Sequence, residues 1–417
     1  MRSIALTMAT RVLQLLLFSC LILSPAWAAP KFQVLHAFAG GATDGSNPNS
    51  RLTLDRLGNL FGEAFTGGST GCGGNGCGVA FELSPKNGHW RDSNFYSFSS
   101  PTSSLPNPVF AVALDAAGNV YGTEYSGGDP ACNCGSIFQL TRVGGVWTLN
   151  TLHIFTGQTS DDGAYPSSGL FRDASGNLFG STFQGGGGNN GTIFELTPGA
   201  GGTWTYSLIY QFGSSNNIDG VSPYGPLTID SAGNIYGTTQ AGGIYFDGAV
   251  YKVSPSNGTW TDSLLYNFTL DFGQSPEPYG VALAPNGRLY GVTFYGGEYG
   301  VGTLYELKPA IGVWSRTVLY TFTGGADGGY PYGGVSLGAS GVLYGTSYDG
   351  GSNGYGNVFK FTVTNGTAQE TVLHSFTNGA DGSHPAWGVS VDKLGNLYGT
   401  TNNGGAKGLG VVFEVTP

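Results

Sequence analysis

Glu63 and Glu124 stand in stretches where the rest of the sequence reads Gly-Thr-Thr or a close variant of it. Paired carboxylates are the groups that perform acid and base work on a glycosidic bond. Glu63 is the first residue after its glycine and Glu124 the second, so in extended chain they belong to opposite faces of the strand. That parity speaks against a catalytic pair. Five further carboxylates recur in the frame Asp-Gly-x-x-Pro, at Asp44, Asp162, Asp219, Asp327 and Asp381. Gathered around one opening they would offer oxygen ligands suited to Ca²⁺. Taken singly, each reads as a turn residue whose carboxylate accepts backbone amides while the proline fixes the chain that follows. One carboxylate per loop is too few for calcium unless loops cooperate, so the turn reading is preferred and no cofactor is expected.

Aromatic side chains accompany these frames. Tyr224, Tyr279 and Tyr332 follow prolines, Trp387 stands two residues after one, and Phe65, Tyr125, Phe183, Phe294 and Tyr348 precede or flank glycine-rich stretches. On an exposed face such rings stack on sugars; buried, they cover a core. Packing over the core is the preferred reading of the rings; Tyr224, Tyr279, Tyr332 and Trp387, with the five aspartates, are the candidate ligand-binding residues. Cys72, Cys77, Cys132 and Cys134 form an even set in two neighbouring stretches. Disulfides, within each stretch or between the two, are expected outside the cytoplasm; a four-thiolate metal site is the alternative, with spacings that depart from zinc patterns. Gly334-Val-Ser336-Leu-Gly338 has the spacing of a nucleophile elbow, but Ser336 aligns with Thr53 and Thr228 inside a strand, not on a strand-to-helix turn. His36, His153 and His374 align with Tyr210, Tyr266 and Tyr320 and read as outer-strand residues.

What positions all of these is a repeat. Gly58-Asn-Leu-Phe-Gly62 recurs at Gly118, Gly176, Gly233, Gly287, Gly341 and Gly395, in steps of 60, 58, 57, 54, 54 and 54 residues, giving seven copies. Each copy holds four short runs of strand-forming residues between turn signals, the size of one propeller blade. Trp90 and Phe98, Trp147 and Phe155, Trp204 and Phe212, Trp260 and Phe268, and Trp314 and Phe322 are all eight apart, which predicts that both rings of a fourth strand share one face. The last copy stops after its third strand, at Val411 to Pro417, while Phe32 to Phe38 matches a fourth strand. Pairing these ends predicts an all-β, seven-bladed β-propeller closed by its N-terminal strand, with no open edge. With strands A to D running outward, the B-to-C and D-to-A loops share one face, the natural place for binding.

With Gly-Asn-Leu-Tyr-Gly-Thr-Thr and Val-Phe-Glu-Val-Thr-Pro in view at 395 to 417, the chain resembles the Gloeo/Verruco tandem-repeat family of exported bacterial proteins; Gly388 to Tyr398 is also similar to the strand-turn-strand pattern of NHL-type propellers. The resemblance implies the fold and export, and no defined activity.

Residues 1–28 read as a secretory signal peptide, with Arg2 and Arg11 before an apolar run and Ala26-Trp-Ala28 at the cut. Residues 29–417 then form one domain. The composition, 74 glycines with 13% aromatic and only 10% charged residues, is that of strands and turns. A net charge of -10 without a basic cluster argues against nucleic acid or an anionic membrane as partner. The function expected is an exported, non-enzymatic binding or scaffold propeller for a glycan or an extracytoplasmic protein, acting as a monomer. A glycosidase or lyase near blades one and two is the alternative, and a structural surface protein the second alternative.

Overall fold

A computed structural model describes residues 29–68, 72–99, 110–157, 162–213, 217–270, 278–310 and 314–417; the predicted signal peptide lies outside them. Seven antiparallel sheets form the ring of a β-propeller, each running from an inner strand A to an outer strand D. Blade 1 is typical, with an inner strand in two pieces, Gly45–Pro48 and Thr53–Leu54, followed by Leu60–Gly67, Val79–Lys86 and His89–Ser97. Blade 7 takes Ser383–Val391, Leu397–Asn403 and Val411–Thr416 from one end of the chain and Lys31–Ala37 from the other. Phe32 pairs with Val415, Val34 with Phe413 and Ala37 with Val411. The N-terminal strand therefore closes the ring, as its sequence requires. Among the described residues no helix is long and apolar enough to cross a membrane.

The repeated glycine of strand B has a packing reason. In every blade it pairs with an aromatic residue of strand C, as Gly62 does with Phe81, Gly237 with Tyr251 and Gly399 with Phe413. A Cβ built on any of the seven would come within 2.4 to 2.6 Å of that ring. Each ring in turn meets, edge on or tilted, the phenylalanine ending strand D of the preceding blade. The seven contacts, Phe38–Phe81, Phe98–Phe138, Phe155–Phe194, Phe212–Tyr251, Phe268–Tyr305, Phe322–Phe359 and Phe376–Phe413, have centroids 4.9 to 5.4 Å apart. Such pairs contribute about 0.5–1.5 kcal/mol each beyond their buried area. One aromatic interlock thus recurs at all seven blade interfaces.

The expectation that tryptophan and phenylalanine of strand D share a face is overturned. Trp147 packs against Phe95 of blade 1, and Phe155 against Phe194 of blade 3. Between them the register slips at Leu152. The same one-residue bulge occurs in every blade, at Leu35, Phe95, Ile209, Leu265, Leu319 and Leu373. An extra residue reverses the alternation of side chains, so the outer strands of blades 1 to 5, which carry both residues, send the tryptophan backward and the phenylalanine forward around the propeller.

Polar latches join the blades near the axis. Thr53 and Thr228 donate their hydroxyls to Val112 O and Val281 O of the following blade, at 2.6 and 2.5 Å. Ser336 does the same to Val389 O and Ser390 to Leu52 O. Ser336 is therefore an inter-blade tie inside strand A, where its alignment put it. On the opposite side of the blades the Asp-x-x-Gly-Asn turns close as the residue types demand; Asp55 Oδ1, for example, accepts the amides of Leu57 and Asn59 at 2.8 and 2.9 Å.

Candidate functional site

The Asp-Gly-x-x-Pro frame reads as a loop in sequence, but in the structure it starts the inner strand: Gly45–Pro48, Gly163–Pro166, Val221–Pro223, Gly329–Pro331 and the first residues of Ser383–Val391. The residue before the proline, Asn47, Tyr165, Ser222, Tyr330 or His384, adopts φ between 52 and 58°. That left-handed twist points its amide at a B-to-C loop carbonyl of the preceding blade, as in Tyr165 N to Cys134 O at 2.8 Å and Tyr330 N to Val301 O at 2.7 Å. The five carboxylates are engaged locally. Asp44 accepts the amides of Ala39 and Gly45, Asp162 those of Thr156 and Gly163, Asp219 the amide of Gly213, Asp327 that of Thr323, and Asp381 that of Thr377. Each also bonds a ring of the preceding strand D: His36, His153, Tyr210, Tyr320 or His374. Burial opposes the charge on Asp44 and Asp162, and these hydrogen bonds outweigh it, holding both below the usual carboxylate range.

One variation on this motif gathers three ligand-type atoms. His36 Nε2 lies 3.3 Å from Asp44 Oδ1 and 3.9 Å from Asp92 Oδ2, all within 4.8 Å of one another. Burial disfavours the charged imidazole, but the hydrogen bond from Asp44 and the charges of Asp92 and Asp44 prevail and raise the affinity of His36 for its proton. The cluster is accounted for as an ion pair that ties the N-terminal strand to blade 1.

The candidate aromatic residues converge at the mouth of the ring on the B-to-C and D-to-A face. Trp387 and Tyr279 are buried there together with Phe110, and Tyr224 and Tyr332 are half-buried. Phe110 and Trp387 stand 4.7 Å apart, Tyr279 and Tyr332 4.5 Å, and Tyr332 and Trp387 5.0 Å. The hydroxyls of Tyr224 and Tyr332 are 3.2 Å apart, and Trp387 Nε1 donates to Asn49 Oδ1 at 2.5 Å. These five residues form a lid across the mouth. Phe110 escaped notice in the sequence, although Pro108-Val-Phe110 repeats the frame Pro385-Ala-Trp387. Around the lid lies a half-buried rim in which Tyr125 meets Tyr165 at 5.2 Å, Phe294 meets Tyr330 at 5.2 Å and Tyr348 meets His384 at 5.0 Å. Phe65 and Phe183 are likewise half-buried there. Farther out on the same face, Tyr245, Phe246 and Tyr299 expose 55 to 67% of their surface.

Glu63 and Glu124 do face opposite sides of their own strands, yet they meet. Glu63 projects from blade 1 toward blade 2, where its Oε1 would lie 2.9 Å from a Cβ on Gly122; Glu124 is the next residue on that face of blade 2. Glu63 is fully buried, and neither carboxylate oxygen has a hydrogen-bond partner among the described residues. Burial, and then the charge of Glu124, push its affinity for a proton well up. Glu124 is pushed up to about 7 by burial, against a 2.6 Å hydrogen bond from Ser136. It borders a cavity of about 290 Å³ together with Tyr96, Ser136 and Thr151. The arrangement sets a buried carboxyl group whose affinity for a proton is raised beside a second one pushed up to about 7. Disulfides join Cys72 to Cys77 and Cys132 to Cys134, each within its own B-to-C loop of the same two blades.

The model of the Gloeobacter/Verrucomicrobia repeat matches residues 22–228, 73–277 and 223–417. The chain belongs to this family. The glycine beneath its aromatic ring and the phenylalanine ending strand D are what this Gloeobacter/Verrucomicrobia repeat protein repeats in space. No curated protein matches its sequence. Among solved structures, the polysaccharide lyase Uly1 is similar at 12% identity and a TM-score of 0.52, over 91% of both chains. A protein from Lactobacillus plantarum is similar at 15% identity and a TM-score of 0.51, over 80% of this chain and 86% of the other. At such identities the likeness is one of fold.

Proposed function

We propose that the protein is an exported, non-catalytic propeller that holds a glycan on the face of its B-to-C and D-to-A loops. The observation that carries this reading is the continuous aromatic surface of this face, a partly buried rim of Tyr125, Tyr165, Phe294, Tyr330 and Tyr348 with exposed Tyr245, Phe246 and Tyr299 farther out, around the closed lid of Phe110, Tyr224, Tyr279, Tyr332 and Trp387. Flat rings with polar tips on a rigid scaffold offer stacking surface at little entropic cost. The five aspartates serve as turn anchors beneath this surface, and the lid residues as its floor. Export follows from the predicted signal peptide and agrees with two disulfides.

A second reading, a carbohydrate-active enzyme, is favoured by the meeting of Glu63 and Glu124 beside a cavity. One experiment separates the two. The purified chain is incubated with a panel of soluble and insoluble polysaccharides, with protein depletion and product release followed together. Depletion on one polymer, weakened by Tyr330→Ser or Tyr348→Ser and without products, is the expected result. Released sugars that vanish in Glu124→Gln would establish the enzyme instead, and no depletion on any polymer would sink the glycan reading.

A further inference from the structure

The lid closes one mouth of the ring, and the axis is hollow toward the other. A cavity of about 430 Å³ lies among the inner strands, and one of about 1030 Å³ occupies the mouth on the face of the A-to-B turns; Leu54 and Val391 border both. Arg51 lines the inner cavity. Its place in the repeat, two residues before the residue that pairs with the aromatic of strand B, is held in the other blades by Ala111, Gly169, Pro226, Gly280, Gly334 and Gly388. Six positions with little or no side chain leave the axis open, and the seventh sends a guanidinium into it.

Arg51 reaches across blade 7 to blade 6, where it donates to Ser336 Oγ. Ser336 is already committed to Val389 O. No carboxylate pairs with Arg51 among the described residues, and burial lowers it only to about 10, so it stays cationic at neutral pH. A guanidinium has five donors; one is used. Arg51 keeps part of its surface exposed where it lines the inner cavity, so its remaining donors are open to an entering anion. The outer cavity adds Arg56, Arg172 and Lys393, in a chain with only 16 lysines and arginines and a net charge of -10. Arg172 Nε is buried there with no partner among the described residues. The aspartates of that mouth, Asp55, Asp115 and Asp392, are bonded to the amides of their own turns.

We propose that the axial channel is a binding site for a carboxylate, entered from the turn face past Arg56, Arg172 and Lys393 and ending on the guanidinium of Arg51. Planar guanidinium and planar carboxylate match in a two-point contact, and the inner cavity has the volume of a small organic molecule. A free sugar acid and the terminal unit of an acidic polysaccharide present the same group. The site lies on the opposite side of the lid from the glycan face, so it stands or falls independently of that reading.

The purified chain is titrated by calorimetry with D-glucuronate, an oligomer of glucuronate and D-glucose. Saturable binding of glucuronate is expected, at least about tenfold weaker in Arg51→Met, intermediate in Arg51→Lys and absent for glucose. Tighter, equally Arg51-dependent binding of the oligomer would identify a polymer end as the source; binding of the monosaccharide alone would identify the free acid. Arg56→Gln with Lys393→Gln, both at exposed turn tips, should slow association and lower its dependence on salt. Arg51→Met alone should keep or raise the unfolding temperature. A marked fall would make Arg51 a strut between blades, and equal glucuronate affinity in Arg51→Met, or no glucuronate binding at all, would overturn the proposal.

Discussion

Phe38 places its ring 5.2 Å from the ring of Phe81, at the interface where the N-terminal strand of blade 7 meets blade 1. As at the other six interlocks the backbone joins the two blades, here through residues 38–44, but Phe38 also anchors the one strand that is held to its own blade by hydrogen bonds alone, Lys31–Ala37 against Val411–Thr416. Phe38→Ala should cost about 3–5 kcal/mol, as should Phe212→Ala. Only the first should expose the amides of Lys31–Ala37 to hydrogen exchange ahead of the rest, which exchange mass spectrometry on both variants would read.

Gly345 lies beneath the ring of Phe359, 2.5 Å from where a Cβ would sit. Gly345→Ala should destabilise by about 1–3 kcal/mol through overpacking. Combined with Phe359→Leu, the loss should be less than the sum of the two single changes, because the smaller side chain makes room for the methyl group. Denaturant midpoints across this double-mutant cycle check the coupling.

The carboxyl groups of Glu63 and Glu124 bind protons more tightly in the folded chain than in the unfolded one. Their contribution to stability is therefore fully present below the ordinary glutamate pKa of about 4.5. It is lost as pH rises through the folded values, about 7 for Glu124 and, for Glu63, well above the ordinary one. Glu63→Gln should raise stability by about 1–3 kcal/mol at pH 8 and change it little at pH 4. Thermal melts at the two pH values test the sign.

Trp387 sits in the lid at φ 68°, where the equivalent Gly333 of blade 6 has φ 83°. Trp387→Gly removes a buried ring and an Nε1 hydrogen bond but relieves a left-handed backbone that costs about 1–2 kcal/mol. A net loss of about 2–4 kcal/mol is expected, with retention on a polysaccharide column reduced because the rim loses its floor. Unchanged retention would separate the rim from the lid.

The ring was legible in the sequence because glycine, turn aspartate and strand D phenylalanine recur at nearly constant steps, and the closing strand was legible because Phe32 to Phe38 repeats a fourth strand. What escaped was phase. A bulge such as that at Leu152 adds one residue to strand D without altering the eight-residue spacing of Trp147 and Phe155, so parity gave the wrong face. The same reasoning, correct within one strand, hid the meeting of Glu63 and Glu124, because opposite faces of successive blades share one interface. Arg51 was visible only as a departure from small residues at six equivalent positions, a comparison that requires the register of the inner strands.

Gln33 bonds to Glu414 across 381 positions of sequence. During synthesis the strand Lys31–Ala37 must therefore wait for nearly the whole chain before its partner exists, with its edge exposed throughout. Contacts so distant along the chain slow folding and prolong exposure to aggregation. A chain truncated anywhere before Val411 would leave blade 7 without its third strand and the waiting strand without a seat, so completion of the last repeat acts as a length check on the newly made protein.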